Sequence, residues 1–238
     1  MIRRVAGLLL ALLLYAAPVH AVALVQQQGL LAAASSVTIT MPSSVTVGNL
    51  LVVWVSHFSS TTPTLGGNVT VSSWTLVGTS SIGAGSLTLW QYAGIVTGAG
   101  TTISSTEASS SYSYIIAAEF SGAPASVVLD GTAATGNSVS GGTHPTTPTY
   151  TSTNASDLIV GVSNIQGASD NATNVGGAWT DLAVVNTQLH AIYQVAATTG
   201  SFTPQWPSTG NTGWVAICGG IRVPAAAASN RNTVTVVQ

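Results

Sequence analysis

The chain has 238 residues and ten charged side chains: four Arg, six Asp or Glu, and no Lys. That is 4% charge, where an ordinary globular domain carries about 25%. The missing Lys excludes phosphate-loop and Schiff-base lysine chemistry, and so few cations argue against a nucleic-acid partner. The 46% apolar share marks a chain that folds.

The chain begins with Arg3 and Arg4, an apolar run Val5–Ala17, then Pro18 and the small-residue site Val19-His20-Ala21. This pattern predicts a secretory signal over residues 1–21, too short to span a bilayer. A secreted or cell-surface protein is expected, with no membrane span in the mature chain. Cleavage would leave Arg222 and Arg231 against all six acids.

Beyond the signal, apolar segments are short, rich in β-branched residues, and separated by Gly, Ser, Asn and Pro. Strands are predicted at Leu24–Gln27, Ser36–Met41, Leu50–His57, Leu87–Ala93, Tyr112–Phe120, Leu158–Asn164, His190–Val195 and Gly213–Val223. Thr38-Ile39-Thr40-Met41 alternates as a half-exposed strand should. Leu50-Leu51-Val52-Val53-Trp54-Val55 does not, and reads as a strand covered on both faces or one with a sticky outer face. No capped helical periodicity follows the signal.

The chain also repeats. Gly48-Asn49-Leu50-Leu51-Val52-Val53 matches Ser156-Asp157-Leu158-Ile159-Val160-Gly161, and Trp74-Thr75-Leu76 matches Trp179-Thr180-Asp181-Leu182. Leu89-Trp90-Gln91 matches Ile192-Tyr193-Gln194, Thr97-Gly98 matches Thr199-Gly200, and Tyr114-Ile115-Ile116-Ala117 matches Trp214-Val215-Ala216-Ile217. Two similar halves, about 24–137 and 155–223, would each leave one apolar face to bury against the other. The expected fold is an all-β, jelly-roll-like antiparallel sandwich of two sheets. Residues 138–154, with His144-Pro145 and Thr147-Pro148, are read as the joint, and two separate small domains are the alternative. Residues 224–238 form a tail, with a possible strand at Thr233–Val237 that could add to a neighbour's sheet or pair within its own chain.

Several of these segments, in this order, resemble a group of bacterial secreted and phage-tail-associated β-sandwich modules. They are Leu24-Val25-Gln26, Val37-Thr38-Ile39-Thr40, Val47-Gly48-Asn49-Leu50-Leu51-Val52-Val53, Trp74-Thr75-Leu76, Ala118-Glu119-Phe120-Ser121-Gly122, Leu129-Asp130-Gly131-Thr132-Ala133 and Trp214-Val215-Ala216-Ile217. The resemblance implies a jelly-roll-like sandwich and an extracellular role in attachment or structure. It brings no catalytic residue with it.

Residue chemistry points the same way. Cys218 lies in the apolar run Trp214–Cys218 and reads as a buried, inert thiol; no internal disulfide is possible. His57, His144 and His190 are scattered and read as exposed or edge residues, and no metal or cofactor is expected. Asp157 and Asp170-Asn171 could contribute to a calcium site but lack the dense acid spacing of such loops. There is no Gly-x-Ser-x-Gly elbow. Glu119 and Asp130 are the best candidates for a glycosidase carboxylate pair, although a strand-end acid and a turn acid are the simpler readings.

Of the six Trp, the repeated Trp74 and Trp179 read as core, as do Tyr114 and Trp214. Trp206, bounded by Pro204 and Pro207, is the aromatic expected to be exposed for ligand contact. The leading expectation is a noncatalytic, exported structural or adhesive protein that self-associates through sheet edges or its C-terminal strand. A glycan-binding module is the alternative, and a hydrolase comes third.

Overall fold

The computed structural model describes residues 22–83, 86–108, 112–139, 144–166, 178–207 and 213–223. The signal segment, the tail with Thr233–Val237, and Asp170-Asn171 lie outside the described residues. Every regular element described is a strand: β1 Ala23–Ala32, β2 Ser36–Thr40, β3 Leu50–His57, β4 Thr64–Gly67, β5 Thr70–Val71, β6 Thr75–Ser81, β7 Thr88–Gly98, β8 Thr102–Thr106 and β9 Ser113–Ser121. There follow β10 Ala134–Ser138, β11 Tyr150–Ser152, β12 Leu158–Ile165, β13 Thr180–Val185, β14 Leu189–Val195, β15 Gly200–Phe202 and β16 Trp214–Ile221.

Two main antiparallel sheets form the centre of the sandwich. The first has the order β1-β9-β3-β7, with β6 and β5 both pairing β7; the second has the order β10-β16-β12-β14-β13. With β6 taken as the edge of the first sheet, the two orders correspond strand for strand. Each main sheet also carries a small sheet on its outer side, β2-β8-β4 on the first and β11-β15 on the second.

This layering explains why β3 does not alternate. Leu50, Val52 and Trp54 pack against Leu158, Val160, Val162, Val215 and Ile217 of the facing sheet. Leu51, Val53 and Val55 pack against Val37, Ile39 and Ile103 of the small sheet. All eight residues of β3 are buried, as are all eight of β12. Each such Leu, Ile or Val contributes about 1.5–3 kcal/mol through the apolar surface it removes from water.

The main sheets stack with an approximate two-fold relationship. β1 lies over β13, and β10, the counterpart of β1, lies over β6, the counterpart of β13. Glycines allow the close approach: a Cβ on Gly29 would sit 2.6 Å from Val185, and one on Gly219 would sit 2.8 Å from Val77.

The structure corrects the expected repeat in three places. Val55 pairs Trp90 and its counterpart Ser163 pairs His190, so Trp90 corresponds to His190 and the match of Leu89-Trp90-Gln91 to Ile192-Tyr193-Gln194 is out of register by three residues. Register through β3 and β12 aligns Ile116 with Ile217, because Trp54 pairs Ile116 and Val162 pairs Ile217. Tyr114 therefore corresponds to Val215 and faces the central core, whereas Trp214 faces outward with Ile165, Ile192 and Trp206. A one-residue slip turns a side chain to the other face of the sheet, and a match between aromatics is blind to that. β10 also already pairs β16 of the second sheet. The passage between the main sheets thus falls between Ser121 and Ala134, ahead of residues 138–154. The pairing Trp74 with Trp179 holds, since Thr75 pairs Ala93 and Thr180 pairs Tyr193.

Candidate functional site

Each half holds a fully buried carboxylate beside the turn that enters its central strand. In the first, Glu119 of β9 accepts hydrogen bonds from the Thr46 amide at 2.8 Å, Asn49 Nδ2 at 2.6 Å and Gln26 Nε2 at 2.6 Å. In the second, Asp130 accepts from the Thr153 amide at 2.6 Å, the Thr153 hydroxyl, Asn154 Nδ2 at 3.2 Å and Arg222 Nη2 at 3.2 Å. Both acids tie a loop to a strand end, the simpler of the roles expected for them. Their hydrogen-bond partners are entirely separate, so the structure does not assemble Glu119 and Asp130 as an acid–base pair.

The structure pairs Asp130 with Asp157 instead. Asp157 is fully buried and lies close enough to share a hydrogen bond with Asp130. It also accepts from Ser152 Oγ and from the Val223 amide, both at 3.4 Å. Burial, and then the neighbouring Asp130, push the Asp157 pKa up to about 6. Burial alone would raise Asp130 too. The bonds from Thr153, Asp157 and Arg222 outweigh it and hold Asp130 well below the usual carboxylate range. Below about pH 6 the pair thus shares one proton, carried by Asp157.

Asp157 borders a pocket of about 540 Å³, lined also by Pro124, Val128, Asn154, Ala155, Arg222 and Val223. The side chain of Arg222 is 49% exposed at its rim. An Asp carboxyl, an amide and a guanidinium between apolar walls can exchange hydrogen bonds with a polar ligand. Sequence reading missed the pairing because the two acids are 27 positions apart and belong to different turns. The repeat carries the signal that could have found it: Asp157 matches Asn49, and Asn49 touches the buried acid of its own half.

Trp206 is not exposed, contrary to expectation. Its relative exposure is 0%, and its ring packs with Ile165, Ile192, Trp214 and Ala216. The flanking prolines shape the chain around the indole and do not lift it into solvent. None of the six Trp is exposed: Trp54, Trp90, Trp206 and Trp214 are buried, and Trp74 and Trp179 are half-buried against the outer clusters. A flat indole platform for sugar rings is therefore absent among the described residues.

Two histidines are likewise inside. His57 contacts Ser113 Oγ at 3.0 Å and Ser105 Oγ at 3.3 Å, and burial lowers its pKa to about 4. His190 is buried with Nε2 3.0 Å from Asp181. His57 ends the fully buried β3 and His190 lies in the buried first half of β14, so neither histidine reaches solvent. Cys218 is buried among Tyr150, Ile159 and Ala196. Among the described residues, no three of His, Cys, Asp and Glu cluster as metal ligands, and no helix is long and apolar enough to cross a membrane.

Comparison with protein-family models, with curated proteins and with solved structures finds no match to this chain.

Proposed function

We propose that this chain is a noncatalytic, exported structural or adhesive protein that works by self-association. One observation carries this reading: the exterior of the described residues is almost free of charge. Of the five acids among the described residues, Glu107, Glu119, Asp130 and Asp157 are buried. Glu119, Asp130 and Asp157 are engaged as described above, and Glu107 accepts from Ser59 Oγ. That leaves Asp181, 35% exposed at its side chain, and Arg222 as the charges at the described surface. Charged side chains are the usual guard against edge-to-edge association, and net charge keeps copies apart. A sandwich with most of its described acids turned inward lacks the first of these at its surface. The signal-like start and the resemblance to secreted and phage-tail-associated modules support export and a structural role.

Sedimentation and electron microscopy of the purified protein test the proposal. Assemblies larger than a monomer, with no turnover of polysaccharide or ester substrates, are expected. A monodisperse monomer at all concentrations would overturn it.

A second reading is favoured by the Asp157–Arg222 pocket. Its hydrogen-bonding groups between apolar walls suit a glycan better than Trp206 does. Glycan-array binding that is lost in Arg222→Ala would support this reading, and unchanged binding would remove the pocket from it.

A further inference from the structure

The four outer strands of the main sheets are not equally guarded. Stacking of β1 over β13 and of β6 over β10 gives the sandwich two flanks. On one flank, β13 carries the partly exposed Asp181 and has a register irregularity between Asp181 and Val184. On the other, β10 is five residues long and its Gly136 carbonyl is taken by Ser80 Oγ, while β6 has an irregularity between Leu76 and Gly78. Short length, charge and bulges are the devices that blunt a sheet edge.

β1 is different. It runs for ten residues, and among the described residues it pairs only β9. It has no charge and no Pro, and its one register shift, between Leu24 and Gln26, leaves Gln26–Ala32 regular. No charged residue occurs anywhere from Val5 to Thr106. Two apolar side chains on β1, Val25 and Leu30, are 48% and 43% exposed, and Val184 on the adjoining β13 is also exposed.

Resting on the self-association reading, we propose that β1 is its seam: β1 of one copy pairs antiparallel with β1 of a second copy, making a closed two-fold dimer with a continuous sheet. The occupant is a second copy because two uncharged edges of this sequence meet without repulsion, and near the middle the strand edge can pair through its backbone while the exposed Gln28 bonds its own symmetry mate through its side-chain amide. The dimer is closed because the opposite flank is blunted. An isologous contact uses one patch on both copies and stops at two, whereas chain growth needs a second complementary edge. A ten-residue antiparallel seam is about 33 Å long.

Gln28 is exposed near the middle of β1, so it takes a charge without loss of fold, which circular dichroism would verify. The full chain, expressed from its own start and purified in its processed form, is compared with Gln28→Lys and Gln28→Glu by sedimentation equilibrium. Wild type is expected to give a monomer–dimer equilibrium. Each variant alone, with like charges facing across the seam, is expected to dimerise roughly tenfold more weakly. Mixing the two is expected to restore dimers, and hydrogen exchange over residues 26–32 should slow with concentration in wild type only.

Folded variants that dimerise like wild type overturn the β1 seam while leaving self-association by another surface standing. Mass that grows without limit overturns closure. A wild type that stays monomeric overturns both the seam and the self-association reading beneath it.

Discussion

Ser156 occupies in the second main sheet the place that Gly48 holds in the first. Both have positive φ, 73° and 90°. The Gly48 amide donates to the Val96 carbonyl at 2.9 Å, and the Ser156 amide donates to the Ala196 carbonyl at 2.6 Å. One turn therefore launches both central strands, and in one copy a side chain sits in the left-handed region that favours glycine.

The two positions should respond in opposite directions. The left-handed conformation costs a residue with a Cβ about 1–2 kcal/mol, and glycine gives back about 0.4–1 kcal/mol through the freedom of the unfolded chain. A Cβ at Gly48 would meet nothing within 4 Å, so only backbone strain operates there. Gly48→Ala is expected to lose up to about 1 kcal/mol, and Ser156→Gly to gain a similar amount. Urea unfolding of both variants would measure this.

Asp157 stands where Asn49 stands in the first half, and only below about pH 6 does it hold a proton facing Asp130 as an amide would. Its pKa is raised from 3.8 to about 6, so the fold binds more protons than the unfolded chain between those values and loses stability as pH rises through them. His57 is lowered from 6.5 to about 4. There the unfolded chain binds more protons, and stability rises with pH across that window. Each shift is worth about 3 kcal/mol, so the two oppose each other and wild type should vary little between pH 4 and 6. Asp157→Asn removes one side. Its stability should rise by about 3 kcal/mol from pH 4 to 6.5 and exceed wild type at neutral pH. Unfolding curves at several pH values would show it; a variant weaker than wild type at pH 7 would contradict the shared-proton assignment.

Removing the Glu119 carboxylate takes the acceptor from three donors, on the half-buried Gln26 and Asn49 and the exposed Thr46. Glu119→Leu is expected to cost about 1–3 kcal/mol, since water can reach part of this site and replace some of the lost bonds. Glu119→Gln, which still accepts at one oxygen, should cost less. Thermal unfolding would rank them.

Trp206→Ala opens a cavity between β12, β14 and β16 and is expected to cost about 3–5 kcal/mol. Any glycan affinity should survive in the fraction that stays folded, measured by titration below the melting temperature.

Cys218 should ignore thiol reagents in the native state, because burial raises its pKa and no path reaches it. Labelling by a chromogenic disulfide should follow the urea unfolding curve, and prompt labelling of folded protein would be the contrary result.

Local pattern alone determined a good deal of this protein. β-branched runs between turn residues marked all the long central strands, and the unbroken apolar run of β3 announced a strand with two apolar faces, the second either covered or sticky. The match of Trp74 to Trp179 was readable because both flank the same kind of strand. Short or polar strands such as β4, β10 and β15 escaped notice, since their pairing comes from neighbours and not from their own composition. Tertiary structure alone decided which way Tyr114 and Trp214 point, because register is set by the partner strand. It also buried Trp206 against Ile165, Ile192, Trp214 and Ala216 of three strands, and it brought Asp130 to Asp157. A sequence shows which residues want to leave water; only the packed sheets settle which of them get to, and beside whom.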